Sequence, residues 1–236
     1  MFFNVAKIRQ WLESNKIFFD IVASVFIGGA SLVVSYSALS VNDRMLAATE
    51  VSSLPHFTIG KEARFDEASK SYIEETMFLS NAGAPVFNWN WRTKTFVVVE
   101  QPGKKEHFAL VPVIGYYFSQ FRTSEVSGKL ASAIGHNNIE KFAVLYKNSL
   151  ENNSSKNVND YCFLELVTIS EVSYEDRLGH RGVVYFKDYT KVSADFARPL
   201  LESEGSSPQL DIDTASFSDL IQKAGQPGTL VFDHFP

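Results

Sequence analysis

The sequence predicts a mainly β fold: an N-terminal transmembrane helix followed by an antiparallel β-sandwich with two or three short peripheral helices. Three observations point there. Ile21–Val41 is a run of 21 residues without a charge. Beyond Pro55 apolar residues alternate with period two, as on a half-buried strand. The alternating runs are separated by Gly, Pro, Asn and Asp clusters that favour chain reversal. The resulting boundaries are an interfacial amphipathic helix over 1–16, a transmembrane helix over 17–41, a stalk over 42–55 and the sandwich over 56–236.

In Met1–Leu12, Val5, Ile8, Trp11 and Leu12 share one helical face and Lys7 and Arg9 lie off it, the pattern of a helix resting in the headgroup layer. Lys7, Arg9, Trp11 and Lys16 are therefore the candidate membrane-interface residues. As a helix rising about 1.5 Å per residue, the uncharged run spans about 31 Å, against a hydrocarbon core of about 30 Å. A signal peptide needs only about 7–15 apolar residues; a cleaved signal, with Ser35-Tyr-Ser37 imitating a cleavage site, and a buried soluble helix are the competing readings. Ser24, Gly28, Ser31, Ser35 and Ala38 follow one another at spacings of 4, 3, 4 and 3, so they share a face on which a second helix can approach closely. Small residues are also common in membrane helices generally. Asp20 opens the span, where a helix N-terminus tolerates a carboxylate. Lys7, Arg9 and Lys16 precede the span and Arg44 alone follows closely, which favours a cytoplasmic N-terminus and an external main domain. Asn42–Ser53 extends the helix as a charged stalk that Pro55 ends.

In Trp89–Val99, Trp89, Trp91, Thr93, Thr95, Val97 and Val99 fall on one strand face and Asn90, Arg92 and Lys94 on the other. Further strands are expected over His56–Arg64, Ser71–Ser80, His107–Phe118, Tyr161–Tyr174 and Gly182–Tyr189, all rich in aromatic and β-branched residues. His107–Phe118 is apolar enough to suggest a second span, but Pro112 and Gly115 interrupt it and it is short, so it reads as a buried strand. Asn81–Pro85 and Asp176–Gly179 are turns in which Gly83 and Gly179 can take positive φ. Ile139, Phe142, Ala143, Tyr146 and Leu150 have helical spacing, and Asn137 with Glu140 resembles a capping pair, so Asn138–Leu150 reads as a helix on the sheet. Ser216–Asp219 opens another helix, closed by Gly225 and Pro227. Asn148–Asn159 and Glu202–Asp211 have loop composition.

The chain carries a net −5, and residues 1–20 hold three basic and two acidic groups, so the remainder is at −6. Such a domain makes no direct nucleic-acid contact in this reading. Cys162, the single cysteine, excludes an intrachain disulfide and, among Phe163, Leu164 and Leu166, reads as a buried thiol. His56, His107, His136, His180 and His234 are scattered without metal-ligand spacing. Asp211 and Asp213 lack the Gly and Glu of a calcium loop. Nucleophile-elbow, P-loop, dinucleotide and Cys-x-x-Cys motifs do not occur. No catalytic, cofactor-binding or metal residue is assigned, and no enzymatic activity is expected. Trp89, Trp91, Phe96, Phe108, Tyr116, Tyr117 and Phe118 form a dense aromatic group that reads as sandwich core ahead of a binding groove.

The order of a basic N-terminal helix, the span Ile27-Gly-Gly-Ala-Ser-Leu-Val-Val-Ser35, a charged stalk, Leu54-Pro-His-Phe57, Leu79-Ser-Asn-Ala-Gly-Ala-Pro85 and Ser173-Tyr-Glu-Asp-Arg-Leu-Gly-His180 resembles a loose group of bacterial membrane-anchored β-domain proteins. Some of these are similar to the transmembrane effectors encoded beside retrons and other antiphage systems. The resemblance implies an inner-membrane protein that acts through protein contacts, with the bilayer, a like copy or partner membrane helix and a regulatory protein as partners. It also implies injury to the membrane once a partner releases the protein. A membrane-tethered binding or adaptor module and a membrane-bound enzyme are the alternatives. The external domain favoured by the charges opposes a cytoplasmic sensor.

Overall fold

A computed structural model describes residues 5–52, 54–102, 108–153, 161–203, 209–233 and 235. Residues 1–4 of the expected interfacial helix, Ser53 of the stalk, His107, His234 and the loop stretches 154–160 and 204–208 lie outside the described residues. The chain forms two compact units, Met1–Ser53 and Leu54–Pro236.

The first unit is helical. Helix α1, Val5–Ser14, stops at Asn15, where the Trp11 carbonyl accepts from the Asn15 amide (3.1 Å), Asn15 Nδ2 (2.8 Å) and Ser14 Oγ (3.0 Å). These polar groups cap the helix end locally. Helix α2, Lys16–Ser52, then runs 37 residues without interruption through the apolar span and the stalk.

The second unit is mainly β and antiparallel. Its strands are β1 Phe57–Asp66, β2 Ser71–Asn81, β3 Val86–Glu100, β4 Phe108–Ile114, β5 Ser119–Arg122, β6 Gly128–Ile134, β7 Phe163–Asp176, β8 Arg181–Lys187, β9 Thr190–Val192, β10 Leu210–Asp211 and β11 Leu230–Phe232. Its helices are α3 Asn138–Asn153, α4 Ala194–Glu202 and α5 Phe217–Ala224. One sheet has the order β1-β2-β6-β5; the larger has β10-β4-β3-β7-β8-β9, with β11 also on β4 and β10 joined in parallel.

The period-two pattern explains the layers. Trp91 of β3 packs with Val172 of β7 and Phe186 of β8 against Phe57, Ile59, Met77, Leu79, Leu130 and Ala131 of the smaller sheet. Farther along the same face, Val97 and Val99 meet Leu145 of α3 and Leu220 of α5. The reverse face buries Phe96, Val98, Val167 and Ile169 beneath Ala197, Leu200 and Leu201 of α4. The C-terminal half of β3 is thus buried on both faces, although only its odd positions alternate cleanly in the sequence.

Two glycines make room for cross-strand rings. Gly60 faces Phe78 and Gly182 faces Tyr174 in register, and a Cβ on either would lie 2.2 Å or 2.4 Å from the opposing ring. The ring covers the bare backbone and pins the register. Gly179 takes φ +83° in the β7–β8 turn as expected, and the Asp176 carboxylate accepts from the Leu178 and His180 amides at 2.8 and 2.9 Å. Those amides hold the Asp176 carboxyl below its ordinary range even though burial acts in the opposite direction.

Other expectations need correction. Gly83 does not take positive φ; it is required because a Cβ there would stand 2.4 Å from the Leu54 carbonyl and 2.5 Å from the His56 amide. Helix α3 continues to Asn153, into the stretch with loop composition, because Asn153 exchanges two 2.8 Å hydrogen bonds with the Cys162 main chain. Leu210–Asp211 is a strand, not loop, because it pairs with β4. Strand β4 is shorter than His107–Phe118, since Gly115 turns the chain away at φ +81°. The aromatic group is also divided: Trp91, Tyr116 and Phe96 enter three different clusters, whereas Phe118 is 62 % exposed.

Candidate functional site: an apolar helix and a cationic groove

In the helical unit, Lys16–Met45 is long and apolar enough to cross a membrane, with a mean hydropathy of 2.2 in its most apolar window and none of that window buried. A signal sequence near the N-terminus has the same character. Lys7 is exposed, Arg9 Nε lies 3.1 Å from Glu13 Oε1, Trp11 is exposed near the end of α1, and Lys16 begins α2. Ser24, Gly28, Ser31, Ser35 and Ala38 all lie on α2 and are exposed. Ser24 Oγ donates to the Asp20 carbonyl at 2.7 Å, returning its hydroxyl to its own helix. Beyond the backbone of its own helix, nothing among the described residues lies within 4 Å of where a Gly28 Cβ would be.

In the β domain, charged and phenolic side chains converge between the sheets. Lys61 of β1 places Nζ 3.2 Å from Asp188 Oδ1 and 3.4 Å from Glu75 Oε1 of β2. Tyr117 donates its hydroxyl to Glu75, the Thr168 amide donates to Asp188 Oδ1 at 3.1 Å, and Lys61 lies 5.5 Å from the Tyr189 ring centre. Burial acts to lower the Lys61 pKa, but Glu75 and Asp188 outweigh it and hold the ammonium above the ordinary lysine value. Burial first, and then the Glu75 charge, pushes the Tyr116 and Tyr117 hydroxyls well above the ordinary phenol range, so both remain protonated. Ion pairs and hydrogen bonds from both sheets meet in this cluster, which clamps one sheet to the other.

Tyr117 also faces a groove outside this clamp. The groove has two lobes of about 630 and 370 Å³ that share Arg92, Thr93, Tyr117 and Phe118. Lys94, Pro112, Ile114 and Leu201 line the larger lobe, and Asn90, Gln120 and Arg122 the smaller. Arg92 Nη2 lies 3.4 Å from Glu171, Lys94 Nζ donates to Ser203 Oγ at 2.9 Å, and Arg122 donates to Asn90. Sequence alternation placed Arg92 and Lys94 together on one face of β3, but not Arg122, which comes from β5.

Among the described residues no group of three or more His, Cys, Asp or Glu side chains is arranged to hold a metal ion. Cys162 is buried beside Leu164, and Asp213 is engaged by Lys141. Comparison of the chain with family models, curated proteins and solved structures finds no match.

Proposed function

We propose that the chain is a single-pass protein of the bacterial inner membrane that acts through protein contacts, as a membrane-damaging effector of antiphage defence. The observation that carries this reading is the uninterrupted α2, whose apolar part exposes the face of Ser24, Gly28, Ser31, Ser35 and Ala38 to a second membrane helix. The effector role itself is supported by the sequence resemblance. The tethered-binding-module reading is favoured by the cationic groove in the β domain.

Alkaline carbonate is expected to leave the full-length chain in the membrane pellet; recovery in the supernatant would refute anchoring. A reporter active only outside the cytoplasm, fused after Pro236, is expected to work. A reporter active only in the cytoplasm would reverse the orientation. For the effector role, expression without partners should collapse the membrane potential, read with a voltage-sensitive dye. Because a Cβ at Gly28 has nothing within 4 Å among the described residues beyond the backbone of its own helix, Gly28→Leu should disrupt contact between helices without disturbing that helix. The variant is expected to lose both the cross-linked oligomer and the depolarisation, whereas Val33→Leu should retain them. A wild-type chain that never lowers the potential would leave the tethered module.

A further inference from the structure

The β3–β4 ladder stops at Thr95–Val113, whereas the β3–β7 ladder continues to Val86. Beyond Thr95, β3 therefore has no strand paired on its β4 side among the described residues, and the register shows which main-chain groups face that side. The Asp188 amide donates to the Thr168 carbonyl, so even-numbered residues of β7 face β8 and odd-numbered ones face β3. Ile169 and Glu171 stand opposite Lys94 and Arg92, which leaves the odd-numbered β3 residues turned toward the β4 side. Consistently, the Trp91 carbonyl accepts from Gln120 Nε2 at 3.0 Å from that side. Thr93 is next in line, and its N–H and C=O point into the wall shared by the two lobes of the groove.

The charge of this groove runs against that of the chain. Among the described residues Arg92, Lys94 and Arg122 line it and no carboxylate does, in a chain of net −5; Glu171 meets Arg92 from the β7 side. Arg92 Nε is buried without a hydrogen-bond partner. Ile114 and Phe118, 48 and 62 % exposed, add apolar surface alongside.

We propose that the groove binds an extended acidic segment of a partner protein, added as a strand beside Thr93 with alternate carboxylates directed at Arg92, Lys94 and Arg122. Arg92 and Lys94 are two residues apart on a strand, about 7 Å, which is also the spacing of alternate side chains on an added strand. Ladder hydrogen bonds to Thr93 supply affinity, and the cations select for acid. The inference rests on the protein-contact reading. Its test leaves α2 unaltered, so its failure is distinct from failure of the anchoring or depolarisation experiments.

The probe is a yeast-displayed pool of random octapeptides, selected against the full-length chain in phosphatidylcholine nanodiscs. Enriched peptides are expected to carry Asp or Glu at alternate positions. Against the best of them, Lys94→Glu combined with Arg122→Glu should weaken binding about tenfold or more, as should N-methylation of the peptide amide that pairs with Thr93. Lys147→Glu, on the exposed side of α3, serves as the charge control and should leave binding unchanged. Circular dichroism and the melting temperature establish that each variant remains folded. No enrichment, enrichment without an acidic bias, or affinity unmoved by the double reversal in folded protein would overturn the proposal.

Discussion

Lys61→Met is expected to destabilise the β domain by about 3–5 kcal/mol, the range for removing one partner from a buried ion pair. The Lys61, Glu75 and Asp188 side chains are only 11, 17 and 20 % exposed, so solvent screens them poorly. Without the ammonium, two carboxylates from opposite sheets face each other with no cation between them. A methionine fills the space but cannot offset their repulsion. The same cluster predicts how stability depends on alkaline pH. Because folding raises the Lys61 pKa, its contribution is fully present below 10.5, the ordinary lysine value, and is lost as pH rises through the folded value. Tyr116 and Tyr117 are also raised; the unfolded chain ionises them from about pH 10 while the folded chain keeps them neutral, so stability again falls as pH rises. Each group adds up to about 1.4 kcal/mol per pH unit to the slope. Thermal melts of the full chain in detergent, followed by tryptophan fluorescence, should show this decline above about pH 10, and Tyr117→Phe should flatten it. A Lys61→Met variant within about 1 kcal/mol of wild type would mean that the cluster is solvated and the clamp does not exist.

The parts of this architecture legible in the sequence are those set by local chemistry. The uncharged run of α2, the alternation of β3 and the Asp-x-x-Gly turn after β7 each reside in a few consecutive residues. Strand β6 was not legible, because Gly128-Lys-Leu-Ala-Ser-Ala-Ile134 has small side chains where others would have marked a strand. Ala131 and Ala133 nevertheless lie buried in the core with the larger Trp91 and Phe57. Helix α4 was obscured by Pro199, which removes an amide from its interior; its amphipathic face over Ile169 and Tyr185 and the Ser193 cap sustain it. The clamp and the groove were beyond sequence reasoning for a different reason. Lys61 and Asp188 are 127 positions apart, and Thr93 becomes an open edge only because β4 ends one pair too early to cover it. Pairing register creates both features, and no local pattern encodes register across such distances.

Asn138→Ala is expected to cost about 1–3 kcal/mol, because Asn138 is fully buried and serves the main chain of a neighbouring strand. Its Oδ1 accepts from the Glu75 amide at 2.7 Å and the Ile139 amide at 3.2 Å, while Nδ2 donates to the Glu75 carbonyl at 3.2 Å. Alanine leaves the Glu75 amide unpaired, at a cost of about 1–3 kcal/mol, whereas the Glu75 carbonyl keeps the Gly135 amide, which donates to it at 3.2 Å. Gly135→Ala should act through the same contact, since the added Cβ would lie 2.0 Å from Asn138 Nδ2 and must displace it. Asn138 holds the backbone of Glu75, whose carboxylate closes the clamp with Lys61 and Tyr117, so the two sites share a residue. Asn138→Ala and Lys61→Met together should therefore cost less than the sum of the single losses, by about 0.5–3 kcal/mol in a double-mutant cycle measured by urea unfolding. Additive losses would show that Asn138 and the inter-sheet clamp hold Glu75 independently, and a single Asn138→Ala loss below about 0.5 kcal/mol would show that water reaches the Glu75 amide in its place.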